Sequence, residues 1–246
     1  EAVRGLLKDA IRDSEHGADD RRIRVLDLGC GMGSLLDDCC TGECDGKSIQ
    51  ELVDYVGVDF SKECIRMATQ RHSSAGASPS RYHRKSRSSA SGTGSGGGSG
   101  GPPTSMSSTP PLREFRREDI VSSSFDSGSF DVVIANDVLG LLPASETLLV
   151  LSKIKEWVSK HGRVFLTAPL ISEKEETTGG DIAAGSSTGA RSSGSNGNFM
   201  VGLERSHPEI QGLFFRMFRR NELARMASAV GLRVCRVDIA EPKGNP

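Results

Sequence analysis

The sequence predicts a doubly wound α/β fold, in which helices cover both faces of a mainly parallel sheet. Apolar stretches of strand length alternate with helical segments along the chain, which is the order that parallel sheets produce. The strands predicted at Ile23–Leu28 and Phe130–Ala135 are largely apolar, as expected for strands buried on both faces. A glycine turn at residues 29–33 follows the first of them, and ligands of such sheets bind beyond the carboxyl ends of the strands.

Length and charge narrow the class of protein. The 246 residues suffice for one sizeable core, and a net charge of −1 gives no global argument for nucleic acid or an acidic substrate. No apolar run approaches the roughly 18 residues of a membrane span, and the charged start does not resemble a signal peptide. We expect an intracellular protein, cytoplasmic by default, with a nuclear or organellar location left open. Because the chain begins at Glu1, we expect a processed form or an excised piece.

The six cysteines predict reduced thiols. Cys30 lies in the glycine turn and Cys235 in a strand-like stretch, and both places are unsuited to a disulfide framework. A partial zinc site is the alternative for the other thiols, but paired C-x-x-C spacing is absent, so we expect small buried thiols and no metal. Such a zinc site would draw on Cys39, Cys40, Cys44 and either Cys64 or His72.

Helices and strands alternate through the first third of the chain. Residues 1–13 carry apolar side chains at helical spacing and predict an amphipathic helix that covers a sheet edge or the ligand site. The helix after the glycine turn ends near residues 41–42, because glycine suits the position after a helix. The second strand is predicted at residues 52–59, and the next helix at Lys62–His72 with Ser61 as its N-cap.

Two low-complexity tracts interrupt this pattern, at residues 73–111 and 172–198. Both lack the apolar residues that offset the entropy of ordering, so we expect disordered insertions within a single domain that spans residues 1–246. The first tract contains a basic cluster at residues 81–87. A solvated positive patch is its ordinary interpretation, and nuclear targeting or RNA contact is the alternative.

The remaining elements follow the same alternation. Strands are predicted at residues 112–116, Phe130–Ala135, 163–168 and 232–239. Two helices lie between them, one from Ser145 to His161 and one over residues 222–230 with Asn221 as N-cap.

The glycine turn and the strand before it carry a resemblance to a known family. Residues 25–33 read VLDLGCGMG and resemble motif I of the class I S-adenosylmethionine (SAM)-dependent methyltransferases. NAD enzymes use a related turn with G-x-G-x-x-G spacing, whereas this chain has G-x-G-x-G with Asp27 two residues before the first glycine. The resemblance implies a Rossmann-like fold, methyltransferase activity and SAM as cofactor. A methyltransferase fold reduced to a binding module and an NAD-type dehydrogenase are the alternatives. The family's last, antiparallel strand is not in this sequence, so we expect either a piece that ends early or a sheet closed differently.

The resemblance also implies roles for the residues of motif I. The glycine turn would pass under the methionine part and the ribose of SAM. Asp27 resembles the family acid that orders the amino group of the cofactor, directly or through water, and a cap on the following helix is its alternative. The turn residues assigned to the cofactor are Gly29, Cys30, Gly31 and Gly33.

Residues after the second strand match the part of the family site that holds the nucleoside. Asp59 would accept hydrogen bonds from both ribose hydroxyls, because a carboxylate offers acceptor oxygens and no donor. A cap on the next helix is the alternative for Asp59. Phe60 would lie against the adenine ring.

Two further pairs match family positions later in the chain. Asp119 with Ile120 matches the loop near the adenine amino group, and a solvated loop charge is the alternative for Asp119. Asn136 with Asp137 matches the end of the fourth strand, near the transferring methyl group.

Fewer sequence motifs indicate the methyl acceptor than indicate the cofactor. The fourth strand ends in NDVLGLL rather than the N/D-P-P-Y/F of amino-methylating nucleic-acid enzymes, and an E-x-x-E-H metal set is absent from the sequence. The stretch NDVLGLLP, followed by GRVFLTAP and FFRMFRRNELARMASAVGLRV, resembles the small-molecule and ubiquinone-type methyltransferases, and this resemblance implies a small-molecule acceptor. RNA or protein is the alternative, motivated for RNA by the basic residues at 81–87 and 216–220. The catalytic base is unknown, with His207 and Asp137 as candidates. The aromatic stretch before the last helix would line the acceptor pocket or pack in the core: Phe214, Phe215, Met217 and Phe218.

Overall fold

A computed structural model describes residues 1–15, 21–72, 110–171, 198–201 and 213–239 of the chain. The two tracts predicted at 73–111 and 172–198 lie almost wholly outside these residues, as do the basic cluster at 81–87 and His207. Their placement within one domain therefore stays a prediction.

The first third of the chain forms four helices and four strands. Two of the strands and one of the helices are very short, and together they form the connection that leads into the second strand of the central sheet. In chain order the elements are α1 (Ala2–Glu15), β1 (Ile23–Leu28), α2 (Ser34–Cys40), β2 (Glu43–Cys44), β3 (Lys47–Ser48), α3 (Ile49–Leu52), β4 (Val53–Asp59) and α4 (Lys62–His72).

The rest of the described chain adds five strands and two helices. A short 3-10 turn, Leu139–Leu141, follows the second of these strands. In chain order the elements are β5 (Arg113–Arg117), β6 (Phe130–Ala135), α5 (Ala144–Trp157), β7 (Val158–Leu166), β8 (Asn198–Val201), β9 (Leu213–Arg216) and α6 (Glu222–Ala229).

Five strands form the central sheet in the order β5-β4-β1-β6-β7, and every neighbouring pair is parallel. The chain moves outward from β1 through β4 to β5, then returns past β1 to β6 and continues to β7. The strand order therefore reverses between β1 and β6, which is where such sheets bind ligands. This arrangement confirms the predicted fold class.

Two apolar clusters cover the two faces of the sheet. Successive side chains of a strand point to opposite faces, so Val25 packs with α1 and α2 while Leu26 packs with α5. Trp157, at the end of α5, is 2% exposed and belongs to the second cluster. None of the described helices is long and apolar enough to cross a bilayer.

The predicted boundaries near β7 were wrong. The helix predicted to begin at Ser145 and reach His161 has Pro143 as its N-cap and ends at Trp157. Val158 already pairs with Phe130 of β6, so the strand begins five residues before the predicted position. Pairing with a buried neighbour outweighs the helical pattern at this point.

The strand predicted at residues 232–239 was also wrong. In the described chain these residues form no strand, and Val237 is 51% exposed. The alternation of apolar and polar residues fits a strand, but strand pairing needs a neighbour, and this segment pairs with none of the described strands.

Candidate functional site

The glycine turn lies between β1 and α2 and has three glycines with positive φ. The φ angles of Gly29, Gly31 and Gly33 are 71°, 53° and 75°. A Cβ atom at Gly29 would lie 2.6 Å from Val138 Cγ2, and one at Gly33 would lie 2.8 Å from His72 Nε2. A Cβ atom at Gly31 would meet nothing within 4 Å. Packing therefore explains glycine at 29 and 33, whereas Gly31 borders open space.

Asp59, at the carboxyl end of β4, is tied to this turn. Its Oδ2 accepts the N–H of Gly31 at 2.9 Å, and its Oδ1 accepts the N–H of Ser61 at 2.8 Å. A carboxylate has about four acceptor positions, so these two bonds leave acceptor capacity next to the open space. Ser61 is the N-cap of α4 as predicted, because its Oγ accepts the N–H of Cys64. Asp59 supports the start of this helix only through its bond to the N–H of Ser61.

Phe60 follows Asp59 and leaves most of its ring uncovered. Its exposed fraction is 72%, and the Arg117 Nε donates to its carbonyl oxygen at 3.4 Å. An aromatic ring beside the acceptor oxygens of Asp59 offers a flat, apolar surface to a ligand group.

Asp27 is buried below the turn with 1% exposure. The Tyr55 hydroxyl donates to its Oδ2 at 2.5 Å. Burial raises the pKa of Asp27 to about 7, the Tyr55 hydrogen bond opposes this rise, and the charge of Asp59 adds to it. The N-cap of α2 is Gly33 without a side-chain capping bond, so the alternative role of Asp27 as a helix cap was wrong.

The cysteines near the turn are buried thiols. Burial, followed by the charges of Asp27 and Asp59, raises the pKa of Cys30. Cys39, Cys40 and Cys44 pack in the apolar cluster beneath α1. Over residues 1–15, 21–72 and the later described segments, no three His, Cys, Asp or Glu side chains form a group that could hold a metal ion.

Asp119 and Ile120 form the turn after β5. Asp119 Oδ1 accepts the N–H of Val121 at 3.0 Å, while Ile120 is 6% exposed and packs in the second cluster. The carboxylate of Asp119 therefore stabilises the conformation of its own loop. Lys153 of α5 holds the same loop, because its Nζ donates to the carbonyl oxygens of Val121 and Ser123 at 2.6 and 2.9 Å.

Asn136 and Asp137 lie exposed at the end of β6 and share one partner. The Thr167 hydroxyl lies 3.0 Å from Asn136 Oδ1 and 2.9 Å from Asp137 Oδ1, and its oxygen accepts the N–H of Asp137 at 2.9 Å. Asp137 has a φ of 57°, which non-glycine residues rarely adopt. Thr167, just after β7, thus connects two predicted site residues and was not among the predictions.

The aromatic stretch before α6 is largely part of the core. Phe218 is fully buried in the second cluster, and Phe215 and Met217 are partly buried. Arg216 is 4% exposed, pairs with Glu222 and lies 4.3 Å from the centre of the Phe218 ring. Arg216 was therefore a wrong choice as a contact to RNA, because its charge is already neutralised inside the protein. The Phe214 side chain lies outside the described part of the structure.

The structure thus brings some of the predicted residues together and leaves others apart. Gly31 and Asp59 are in direct contact, Asp27 lies beneath them, and Asn136 and Asp137 meet through Thr167. Since β4, β1 and β6 are neighbours in the sheet, these groups occupy adjacent strand ends. They lie at one edge of the sheet and together make up the candidate site.

A comparison with protein families assigns the class. The chain matches the methyltransferase domain family over residues 3–237, and it therefore belongs to that family. It is a methyltransferase, as the resemblance of motif I implies. No curated protein sequence matches the chain.

One solved structure supports the fold, and two others are reported as similar to the chain. A SAM-dependent methyltransferase from Methanosarcina mazei is similar with 16% identity and a TM-score of 0.50, covering 88% of this chain and 82% of that one. A putative methyltransferase from Haloferax volcanii, solved with the Trm112 activator, has 16% identity, 98% and 76% coverage and a TM-score of 0.49. The trans-methyltransferase CalH, solved with SAH, has 20% identity and a TM-score of 0.42. The match covers 66% of this chain, which spans only 35% of the length of CalH.

Proposed function

We propose that this methyltransferase transfers the methyl group of SAM to a small-molecule acceptor. The observation that carries the proposal is the open space at Gly31, bordered by the carboxylate of Asp59 within a methyltransferase-family chain. Titration of the protein with SAM in a calorimeter is the direct test.

The residues at the turn fit this cofactor. Gly31 adds no side chain where the cofactor would pass close to the backbone. Asp59 keeps acceptor positions for two ribose hydroxyls, and the uncovered ring of Phe60 would lie against adenine. Ile120 and Asp119 would close the adenine side, and Asp27 would face the cationic amino group, directly or through water.

When bound, SAM supplies a methyl group that is activated by a sulfonium centre. The protein residues orient the reactants and exclude water, and orientation alone contributes much of the rate in such displacements. Asn136 and Asp137 lie at the strand end where the acceptor would approach, and Thr167 fixes their side chains. Asp137 is the candidate to take a proton from the acceptor.

The small-molecule acceptor rests on the strand end and on the net charge. The residues after β6 differ from those of amino-methylating nucleic-acid enzymes, and the net charge is −1. Within the basic stretch Arg216 is buried and paired, while Arg219 and Arg220 are exposed. A fractionated cell extract incubated with methyl-labelled SAM tests this choice. Label in the small-molecule fraction supports it, and label in RNA or protein contradicts it. SAM binding without transfer to any fraction favours a binding module, and preferential binding of NADH contradicts the proposal.

A glycine substitution tests the position of the cofactor. Gly31→Val should abolish SAM binding, because its branched side chain would fill the open space over the turn. Gly46→Val is the matched control. Gly46 also has a positive φ and open space where a Cβ atom would lie, but it belongs to the hairpin between β2 and β3. Both variants suffer the same kind of backbone strain. Normal SAM binding by Gly31→Val would remove the turn from the site.

A further inference from the structure

His72, the last residue of α4, contacts the glycine turn from below. Its side chain is only 10% exposed, and its Nε2 lies 3.0 Å from the carbonyl oxygen of Gly33. Because a carbonyl oxygen only accepts hydrogen bonds, Nε2 carries the proton in this contact. The ring also stacks on Phe115 of β5, with 5.3 Å between ring centres and 23° between planes.

The imidazole and the end of the turn fit one another closely. The carbonyl oxygen of Gly33 also accepts the N–H of Leu36 at 3.2 Å, which begins α2. A Cβ atom at Gly33 would lie 2.8 Å from His72 Nε2 and 3.2 Å from the Phe115 ring. The missing side chain of Gly33 therefore makes room for His72, and the hydrogen bond orients the peptide group between Gly33 and Ser34.

The other side of the ring faces α2. Nδ1 of His72 lies 3.6 Å from Asp37 Oδ1 on α2. The second carboxylate oxygen of Asp37 accepts from the Arg71 Nε at 2.6 Å. The Arg71–Asp37 ion pair thus attaches the end of α4 to α2 beside the ring, and the stack on Phe115 limits rotation of the imidazole away from Gly33.

We infer that His72 is a positioning residue for cofactor binding. The turn is held at two points: Asp59 accepts the N–H of Gly31, and His72 donates to the carbonyl of Gly33. Both side chains come from β4 and α4, so the second strand-helix unit sets the shape of a turn that belongs to the first. The His72 side chain is largely buried, and it acts on SAM through the backbone. This inference rests on the proposed function.

The test compares SAM affinity across three variants by calorimetry. His72→Phe keeps the ring stack on Phe115 but removes the donor to Gly33, and should raise the dissociation constant for SAM about threefold to tenfold. His72→Gln keeps a donor at the position of Nε2 and should stay within about twofold of the parent. His161→Phe, on exposed His161 of β7, is the matched control and should bind like the parent.

Stability and backbone spectra separate positioning from unfolding. Each variant is melted without ligand, and binding is measured well below every melting temperature. In backbone amide NMR spectra, His72→Phe should shift the signals of Gly33 and Ser34 while His72→Gln shifts them less. Parent-like affinity of His72→Phe would overturn the inference, and so would equal losses of affinity in both His72 variants. If the parent itself fails to bind SAM, the proposed function fails, and the inference fails with it.

Discussion

Asp27 is a carboxyl group held in an apolar interior, and its ionisation opposes folding. Burial raises its pKa from 3.8 to about 7 in the folded chain. Between these values the unfolded chain has lost the proton and the folded chain still holds it. The contribution of Asp27 to stability is therefore complete below about pH 4 and is lost as the pH rises to about 7.

Asp27→Asn should remove this pH dependence, because the amide does not titrate. The free energy of unfolding of the variant minus that of the parent should grow with pH by up to about 1.4 kcal/mol per unit between about pH 4 and 7, then level off. Urea unfolding at a series of pH values measures the difference.

Tyr55→Phe provides the companion variant for Asp27. The Tyr55 hydroxyl stabilises the ionised carboxylate, so its removal should extend the pH-dependent loss to higher pH. A difference between Asp27→Asn and the parent that does not change with pH would contradict the assignment of the raised pKa to Asp27.

Individual site residues differ in how far the sequence reveals them. The glycine turn could be predicted, because its spacing within a short motif reflects local backbone geometry. Asp59 could be predicted because it ends the second strand, a position that the resemblance to the family marks. The reason why residue 33 is a glycine could not be predicted, since its partner His72 lies 39 residues later. Lys153 was missed for the same reason, because its partners are carbonyl groups of a loop 30 and 32 residues earlier.

At the scale of elements, Thr167 couples the ends of β6 and β7. Thr167→Val keeps the shape of the side chain but removes the hydroxyl that bonds to Asn136 and Asp137. The variant should lose about 0.5–1.5 kcal/mol of the free energy of unfolding, because Asp137 then holds its unusual backbone conformation without this support. Denaturant unfolding measures the loss.

Thr167→Ser is the matched control for this prediction. Serine retains the hydroxyl and should recover most of the stability that valine loses. Equal stability of Thr167→Val and the parent, or equal losses in both variants, would show that the hydroxyl does not couple the strands.

Elements with strong local signals were predicted closely. The helix Lys62–His72 has the predicted bounds, because Ser61 caps its start and its apolar residues keep helical spacing. The end of α5 and the structure of the segment 232–239 were not predicted correctly. In both places the backbone conformation depends on whether a partner strand is available.

At the scale of the whole molecule, the tract between α4 and β5 should be replaceable. Leu112 is already paired with β4, since its N–H donates to Asp54 Oδ1 and its carbonyl oxygen accepts from Tyr55, so the replacement spans residues 73–109. Since loop-closure free energy changes by only about 0.6 kcal/mol per doubling of length, a short Gly-Ser linker should leave the melting temperature and SAM affinity close to those of the parent. Thermal melting and calorimetry measure both.

Two further measurements complete the test of the single-domain prediction. Limited proteolysis should cut first within residues 73–109 and leave both pieces associated and able to bind SAM. A shortened chain that unfolds or fails to bind SAM would contradict the single-domain prediction. Retained binding with lost methyl transfer would assign acceptor recruitment to the basic cluster at 81–87.

The two contacts on the glycine turn also set a condition on how the protein is made. Asp59 follows Gly31 by 28 residues, and His72 follows Gly33 by 39. Because synthesis proceeds from the amino terminus, a growing chain carries the turn without the Asp59 support until β4 has emerged, and without the His72 support until the end of α4 has emerged. The turn is therefore synthesised before the residues that hold it, and it reaches its final shape only after the second strand-helix unit has emerged.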